Sequence, residues 1–274
     1  MQYTGTSLIL GKSSVENFKY ELMEEDTIEL KGHVTLYRIK ALRDFSDVKA
    51  GDLGGYIEGV NNLSQTGNCW IYGNSKVYGN AVVRHDAKIV GSVLVYEDAA
   101  ITSSAVVCDN ARVYGHALVT AHAVVCDNAR VNGDAHICDN VVVRGFAYVT
   151  DSVCIRDKAV VRGHAIVCGN AQVYNSVKIF DTAFIGDCAS VYDTAKVNGS
   201  ARVYDEATIY GDANIRGDAL VFGEAEVFED SYVQGTAEIS GNVKIHGTCV
   251  IQGYSRLDGD DDLTRGVWFD RESE

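Results

Sequence analysis

The stretch AVVCDNARVYGHALVTAHAVVCDNARVNGDA, residues 105–135, decides the fold. Every sixth residue in it is valine: Val107, Val113, Val119, Val125 and Val131. Outward in both directions the rule holds from Ile71 to Ile251, with Val or Ile at thirty-one successive positions and no exception. Four residues after almost every one sits a small residue, usually alanine, as at Ala81, Ala87, Ala99, Ala105 and on to Ala237. Between them lie pairs rich in Gly, Asn, Asp and Ser, such as Gly79-Asn80, Asp109-Asn110, Gly133-Asp134 and Gly217-Asp218. An amphipathic helix spaces its apolar residues three and four apart, whereas here the inward residues alternate four and two, which suits a short strand closed by a turn. Gly, Asn and Asp supply the turn because they tolerate positive φ and bond their own backbone. A unit this short cannot bury a face alone, so its copies must stack.

The pattern resembles the hexapeptide-repeat left-handed β-helix family, in which three such strands make one triangular coil. The resemblance implies an all-β, single-stranded left-handed parallel β-helix over residues 71–253, of about ten coils and roughly 50 Å at ~4.8 Å per strand step. The chain has no proline, as expected where interior strands each need their N–H for a ladder on both sides. Open ends of such a rod would template aggregation. Residues 1–70 are therefore read as an N-terminal cap and residues 254–274 as a C-terminal cap or tail folding back over the last coil. The segment from Leu36 to Glu58, followed by Asn62 to Trp70, resembles phage and prophage hexapeptide proteins of unknown role. It is also similar to part of an enterobacterial protein to which acetyl transfer is ascribed, and Asp258 to Arg265 is similar to that protein's end. These resemblances imply a bacterial or phage source and bring no established activity.

The formal charge is −14, from 38 acids and 24 bases. Such a balance argues against wrapping a nucleic acid duplex, whose phosphates need clustered and undiluted Lys and Arg. It leaves room for a small anion held by a local basic cluster. Residues 1–14 read as neither a secretory signal nor a membrane span, so a cytoplasmic protein of a bacterium or a phage-infected cell is expected. The eight cysteines lack the CxxC spacing of structural zinc and read as reduced, small fillers, so no metal is expected.

Residues three hexads apart should stack in columns. Val106, Val124, Val142 and Val160 then form an outward apolar strip, and Tyr174, Tyr192 and Tyr210 a ladder on the edge leading into it. Ladders of this kind stabilise stacked strands by themselves, but solvent-facing strips also mark association. A side-by-side homo-oligomer, a homotrimer as is common in the family, is the expectation. On the next edge Arg112, Arg130 and Tyr148 form one column and Arg144, Arg162 and Phe180 another, around acid-free corners at Gly145-Phe146 and Gly163-His164. Arginine offers forked donors to phosphate or carboxylate, and the aromatics offer platforms for a ring. Arg112, Arg130, Arg144, Phe146, Tyr148, Arg162, His164 and Phe180 are thus the candidate ligand-binding residues. The alternative is that the arginines pair with Asp109, Asp127 and neighbouring carboxylates.

The histidines fall on different corners and faces, and no insertion interrupts the hexads where the family's acetyltransferases carry a loop shaping the acceptor site. No catalytic residue can be named, and enzymatic activity stays open. Three readings follow. The first is a non-catalytic, phage-borne protein binding or sequestering a small anionic, nucleotide-like ligand without a cofactor. The second is a trimeric acetyltransferase using acetyl-CoA. The third is a structural rod or acidic scaffold.

Overall fold

The structure is a computed structural model and describes residues 18–270. From Lys76 onward each hexad contributes one short strand, and the chain visits three parallel sheets in turn. On the first, here the arginine face, Lys76–Val77, Leu94–Val95, Arg112–Val113, Arg130–Val131 and Tyr148–Val149 follow one another in register. On the valine face Lys88, Val106, Val124, Val142, Val160 and Lys178 are successive partners. The third face carries Ala100, Leu118, His136 and Cys154. Each of these partners lies three hexads on, so the chain is a parallel β-solenoid whose columns are those expected for three strands to a coil.

The inward residues build one continuous core. The valines and isoleucines of the repeat and the alanines preceding them are all fully buried. Most solvent-facing strand side chains sit between an alanine and a branched residue, with valine in place of the alanine as at Val141, Val153, Val177 and Val243. Corners follow one rule. The first turn residue is left-handed, as with Asp109 (φ 61°), Asp127 (φ 60°) and Gly145 (φ 76°). The second donates its amide to the first residue's carbonyl one coil on, as from Asn110 to Asp127 at 2.8 Å and from Asn128 to Gly145 at 2.8 Å. At Asp127 and Gly145 the first residue's own amide goes to a carboxylate one coil back. Asp109 Oδ2 accepts from Asp127 N at 3.1 Å and Asp127 Oδ2 from Gly145 N at 2.9 Å. The same bond recurs from Gly169 to Asp151, Gly199 to Asp181 and Gly211 to Asp193.

The ends differ from expectation. Among the described residues β1 (Tyr20–Leu30) and β2 (Val34–Ala41) form an antiparallel hairpin, and β2 pairs antiparallel with β3 (Leu53–Ile57). But β3 already pairs parallel with Lys76–Val77, and Leu63 bridges Val83, so the first coil begins within the segment read as cap. At the other end residues 254–270 do not fold back. Arg256–Leu257, Asp262–Leu263 and Val267–Asp270 add one more strand to each face. The valine face accordingly has 12 strands instead of the expected ten. Both flanking coils escape hexad counting because their lengths differ. Ile57 pairs with Val77, two residues more than a regular coil, and Ile251 with Trp268, one fewer. The parts of the expected caps at residues 1–17 and 271–274 lie outside the described residues.

The N-terminal hairpin brings Tyr20 and Phe45 edge-on to Trp70, at 6.2 and 5.4 Å between ring centroids. Lys19 is fully buried there, and its Nζ donates to the Cys69 carbonyl at 2.9 Å. Among the described residues no helix is long and apolar enough to cross a membrane.

Candidate anion-binding site

The corner that leads from the valine face to the arginine face carries all eight candidate ligand-binding residues, but it divides them. Arg112 and Arg130 are direct strand partners, as are Arg130 and Tyr148. Together with Phe146, Asn110 and Asn128 they line one concavity of about 270 Å³. Arg144, Arg162 and Phe180 stand on the valine-face side of the same corner and do not line it. There the Arg162 guanidinium lies over the Phe180 ring at 4.8 Å. Phe146 and His164 stack on the corner itself, 4.8 Å apart and within 2° of parallel. Phe146 is 57% exposed, so its free face looks outward beside the concavity.

The like-charged ladder is not neutralised. Among the described residues Arg112, Arg130, Arg144 and Arg162 make no ion pair with a carboxylate. The acids expected to pair with them, Asp109 and Asp127, are turned to the backbone amides one coil on. At Gly145 and Gly163 no side chain can do this, and among the described residues the amides of Gly163 and Asp181 have no protein acceptor. An anion beside Arg144 and Arg162 would find both the guanidinium groups and an amide of the kind that carboxylates take at other corners.

On the other flank of the concavity Tyr78, Tyr96 and Tyr114 stack at 5.3 and 4.9 Å. Burial, with Tyr148 close by, pushes the Tyr114 hydroxyl up to about 12, so these phenols remain neutral donors at physiological pH. Asn132 Nδ2 donates to the Tyr148 hydroxyl at 3.4 Å. The site therefore offers two guanidinium groups, two carboxamides, a phenol and an exposed ring. Such a set can hold an anionic group and one flat ring, and the concavity lies just below the usual range of about 300–1,000 Å³ for small-molecule pockets.

Sequence reasoning missed Asn110 and Asn128. They stack in the column that holds Phe146 one coil later, and that column was the available signal. It also missed that Cys108, Asp109 and Cys126 converge, their ligand atoms all within 4.8 Å of one another. A search for CxxC could not find them, because in a solenoid the near neighbour is three hexads away. Burial, then Asp109, pushes the Cys108 thiol up to about 12.

The expected association residues are separated along the rod. Val106, Val124, Val142 and Val160 occupy four successive coils, closed by Lys88 and Lys178. Tyr174, Tyr192 and Tyr210 lie in later coils, stacked at 4.9 and 5.0 Å on the edge before Lys178 and Lys196. The histidines stay dispersed. His246 has the closest carboxylate, Asp262 Oδ1 at 2.7 Å. It stands about six coils from Arg130, roughly 30 Å at ~4.8 Å per coil.

With this geometry in place, comparison with known protein families matches residues 111–127 to the YdcK β-solenoid repeat. The matched segment starts one residue before Arg112 and ends at Asp127, so it spans the first coil of the arginine ladder. A protein of Escherichia coli (strain K12) named uncharacterized acetyltransferase YdcK is 41% identical over 80 residues. The match covers 27% of this chain and 24% of that relative's length, so in this comparison the chain spans about a quarter of the relative.

Proposed function

We propose that this chain is a binding protein that takes a small anionic, ring-bearing molecule of the nucleotide class on the corner between its arginine and valine faces. The observation that carries the reading is the in-register pair Arg112 and Arg130, without a carboxylate partner in a chain of net charge −14, beside Phe146 and Tyr148 in one concavity. Like charges directly opposite each other on neighbouring strands are destabilising. A ligand bearing negative charge relieves that cost, and guanidinium forks match phosphate geometry. The phage-like N-terminal segment fits a role in sequestering such a molecule within a bacterial cell.

Titration calorimetry against nucleoside monophosphates, cyclic dinucleotides, coenzyme A and inorganic phosphate tests the proposal. The expected result is binding of at least one nucleotide that weakens with salt. Hydrogen bonds to charged groups contribute about 1.5–3 kcal/mol each, so Arg130→Gln should weaken it by about 10- to 150-fold. The same substitution should leave folding stability unchanged or slightly raised, because a repulsion goes with the charge. Silence across the panel removes the proposal.

Acetyl transfer is the second reading, supported by the partial identity to the E. coli protein. Coenzyme A is itself an anionic, ring-bearing molecule that this corner could hold. A general base must reach the acceptor within hydrogen-bond distance, and His246 with Asp262 is too far along the same chain to serve Arg112 and Arg130. On this reading the base would be His164, which stacks on Phe146 at the same corner, or a histidine from another copy. Acetyl-CoA hydrolysis or transfer by the purified protein would favour it over simple binding. We also propose that copies associate through the valine strip.

A further inference from the structure

We propose that the thiols of Cys108 and Cys126 and the carboxylate of Asp109 form a binding site for a thiophilic divalent cation of the Zn²⁺ class, on the corner where the valine face turns toward the arginine face. The two cysteines occupy one column, one coil apart, and their sulfurs and an Asp109 oxygen already lie within 4.8 Å of one another. Zn–S bonds of about 2.3 Å and Zn–O bonds of about 2.0–2.2 Å in a tetrahedron place donors roughly 3.5–3.8 Å apart. The three groups therefore need to close by about 1 Å, within reach of small side-chain rotations on a fixed backbone.

Three features favour a cation over mere filling of space. Asp109 is oriented by the rod itself, since its Oδ2 accepts the Asp127 amide at 3.1 Å and leaves Oδ1 available; such outer bonds hold a ligand carboxylate in place. Asp127, next to Cys126 in sequence, adds a second carboxylate to the corner. A backbone held by ladders on both sides presents both thiols at a fixed spacing, which limits the ordering cost of binding. Two thiolates with one carboxylate are the donor set of a borderline-soft ion, not of Ca²⁺ or Mg²⁺. Binding would release the two thiol protons to solvent, one from each cysteine, and leave the fourth position to water or an exogenous ligand. Asn110 and Asn128, the next residues in each coil, line the concavity described above, so the ion and the anion site would share the corner while depending on different side chains.

The test uses the full chain, reduced and stripped with a chelator, titrated with Zn²⁺ against a chromogenic competitor and with Co²⁺ followed by absorption. One equivalent of Zn²⁺ and a thiolate-to-cobalt charge-transfer band are expected. Cys108→Ser and Cys126→Ser should each abolish the band and lower Zn²⁺ affinity by at least the about 100-fold that outer partners of a ligand set alone can carry. Asp109→Asn should weaken binding while keeping the band, and Cys188→Ser, at an exposed position elsewhere, should change neither. Both cysteines are partly exposed, and circular dichroism of the serine variants checks that the coil persists. Failure of the reduced wild-type chain to bind Zn²⁺ or Co²⁺, or unchanged binding by the Cys108→Ser/Cys126→Ser double variant, overturns the proposal. Neither result bears on the anion site, which Arg130→Gln addresses separately.

Discussion

Asp127 sits in a left-handed conformation that favours glycine, with φ 60°, and its carboxylate receives the Gly145 amide at 2.9 Å. The two facts oppose each other energetically, and a pair of substitutions separates them. Asp127→Ala keeps the left-handed strain and loses the bond, so a loss of about 1–2 kcal/mol is expected in denaturant unfolding. Asp127→Gly loses the same bond but removes the strain, and should lie close to the wild type. Equal losses in the two variants would mean that the carboxylate alone matters. Asp47 offers a second residue-scale test, through pH. The Lys88 ammonium at 2.8 Å and then the Tyr72 hydroxyl at 2.9 Å hold its carboxyl well below the usual carboxylate range. Its unfolded value is about 3.9, so the folded state gains from the ionised form above about pH 4 and loses that gain as pH falls toward the depressed folded value. The stability difference between wild type and Asp47→Asn, measured by urea unfolding, should be present at pH 7 and shrink steadily below pH 4. A difference that grows with acidity would contradict the sign.

At the level of the coil, register matters more than any one contact. Gly199 and Gly217 occupy the same corner one coil apart, so deleting residues 199–216 joins Asn198 to Gly217 with every column still aligned. Each coil contacts mainly its neighbours, and such rods behave as sums of repeat and interface terms. The shortened chain should fold with native circular dichroism and a modestly lower melting temperature. Deleting residues 199–215 instead puts the next hexads one residue out of phase, which turns inward side chains outward, and that chain should not fold. This is also why the fold was legible: unbroken hexads, read with the three strands per coil that the family resemblance implies, fix columns, and Arg112 against Arg130 or Val106 against Val124 followed. The ends were not, because Ser64 to Asn68 hold extra residues that counting by six cannot absorb, and because the polar run Asp258 to Asp262 reads as tail although it carries a further strand of the third face. The site was half legible. Columns located the arginines, but which of them share a hollow depends on which way each side chain leaves the corner, and the role of the aspartates as amide acceptors has no signature in hydropathy.

For the whole molecule, the question is whether the rods associate. The four valines are partly exposed, and the lysines that follow in their column at Lys178 and Lys196 show that the position itself accepts a charge. A stable interface buries about 800 Å² per partner, far more than four half-buried valines provide, so flanking columns must contribute. The tyrosine ladder contributes little of its ring area, because Tyr174, Tyr192, Tyr210 and Phe228 already cover one another's faces at 4.6–5.0 Å. Tyr210 is further engaged, its hydroxyl donating to Glu226 at 3.3 Å. Copies of net charge −14 repel, and salt screens that repulsion over a Debye length of about 8–10 Å. Apolar association through the strip should therefore strengthen as salt rises, the opposite of what ion pairing would give. Val142→Lys, which extends the lysine column into the strip, should leave the melting temperature of the single rod near wild type and abolish association by sedimentation velocity. A wild-type chain that sediments as a monomer at tens of micromolar in high salt would remove the strip as an interface and leave its valines as a ladder that serves only the coil.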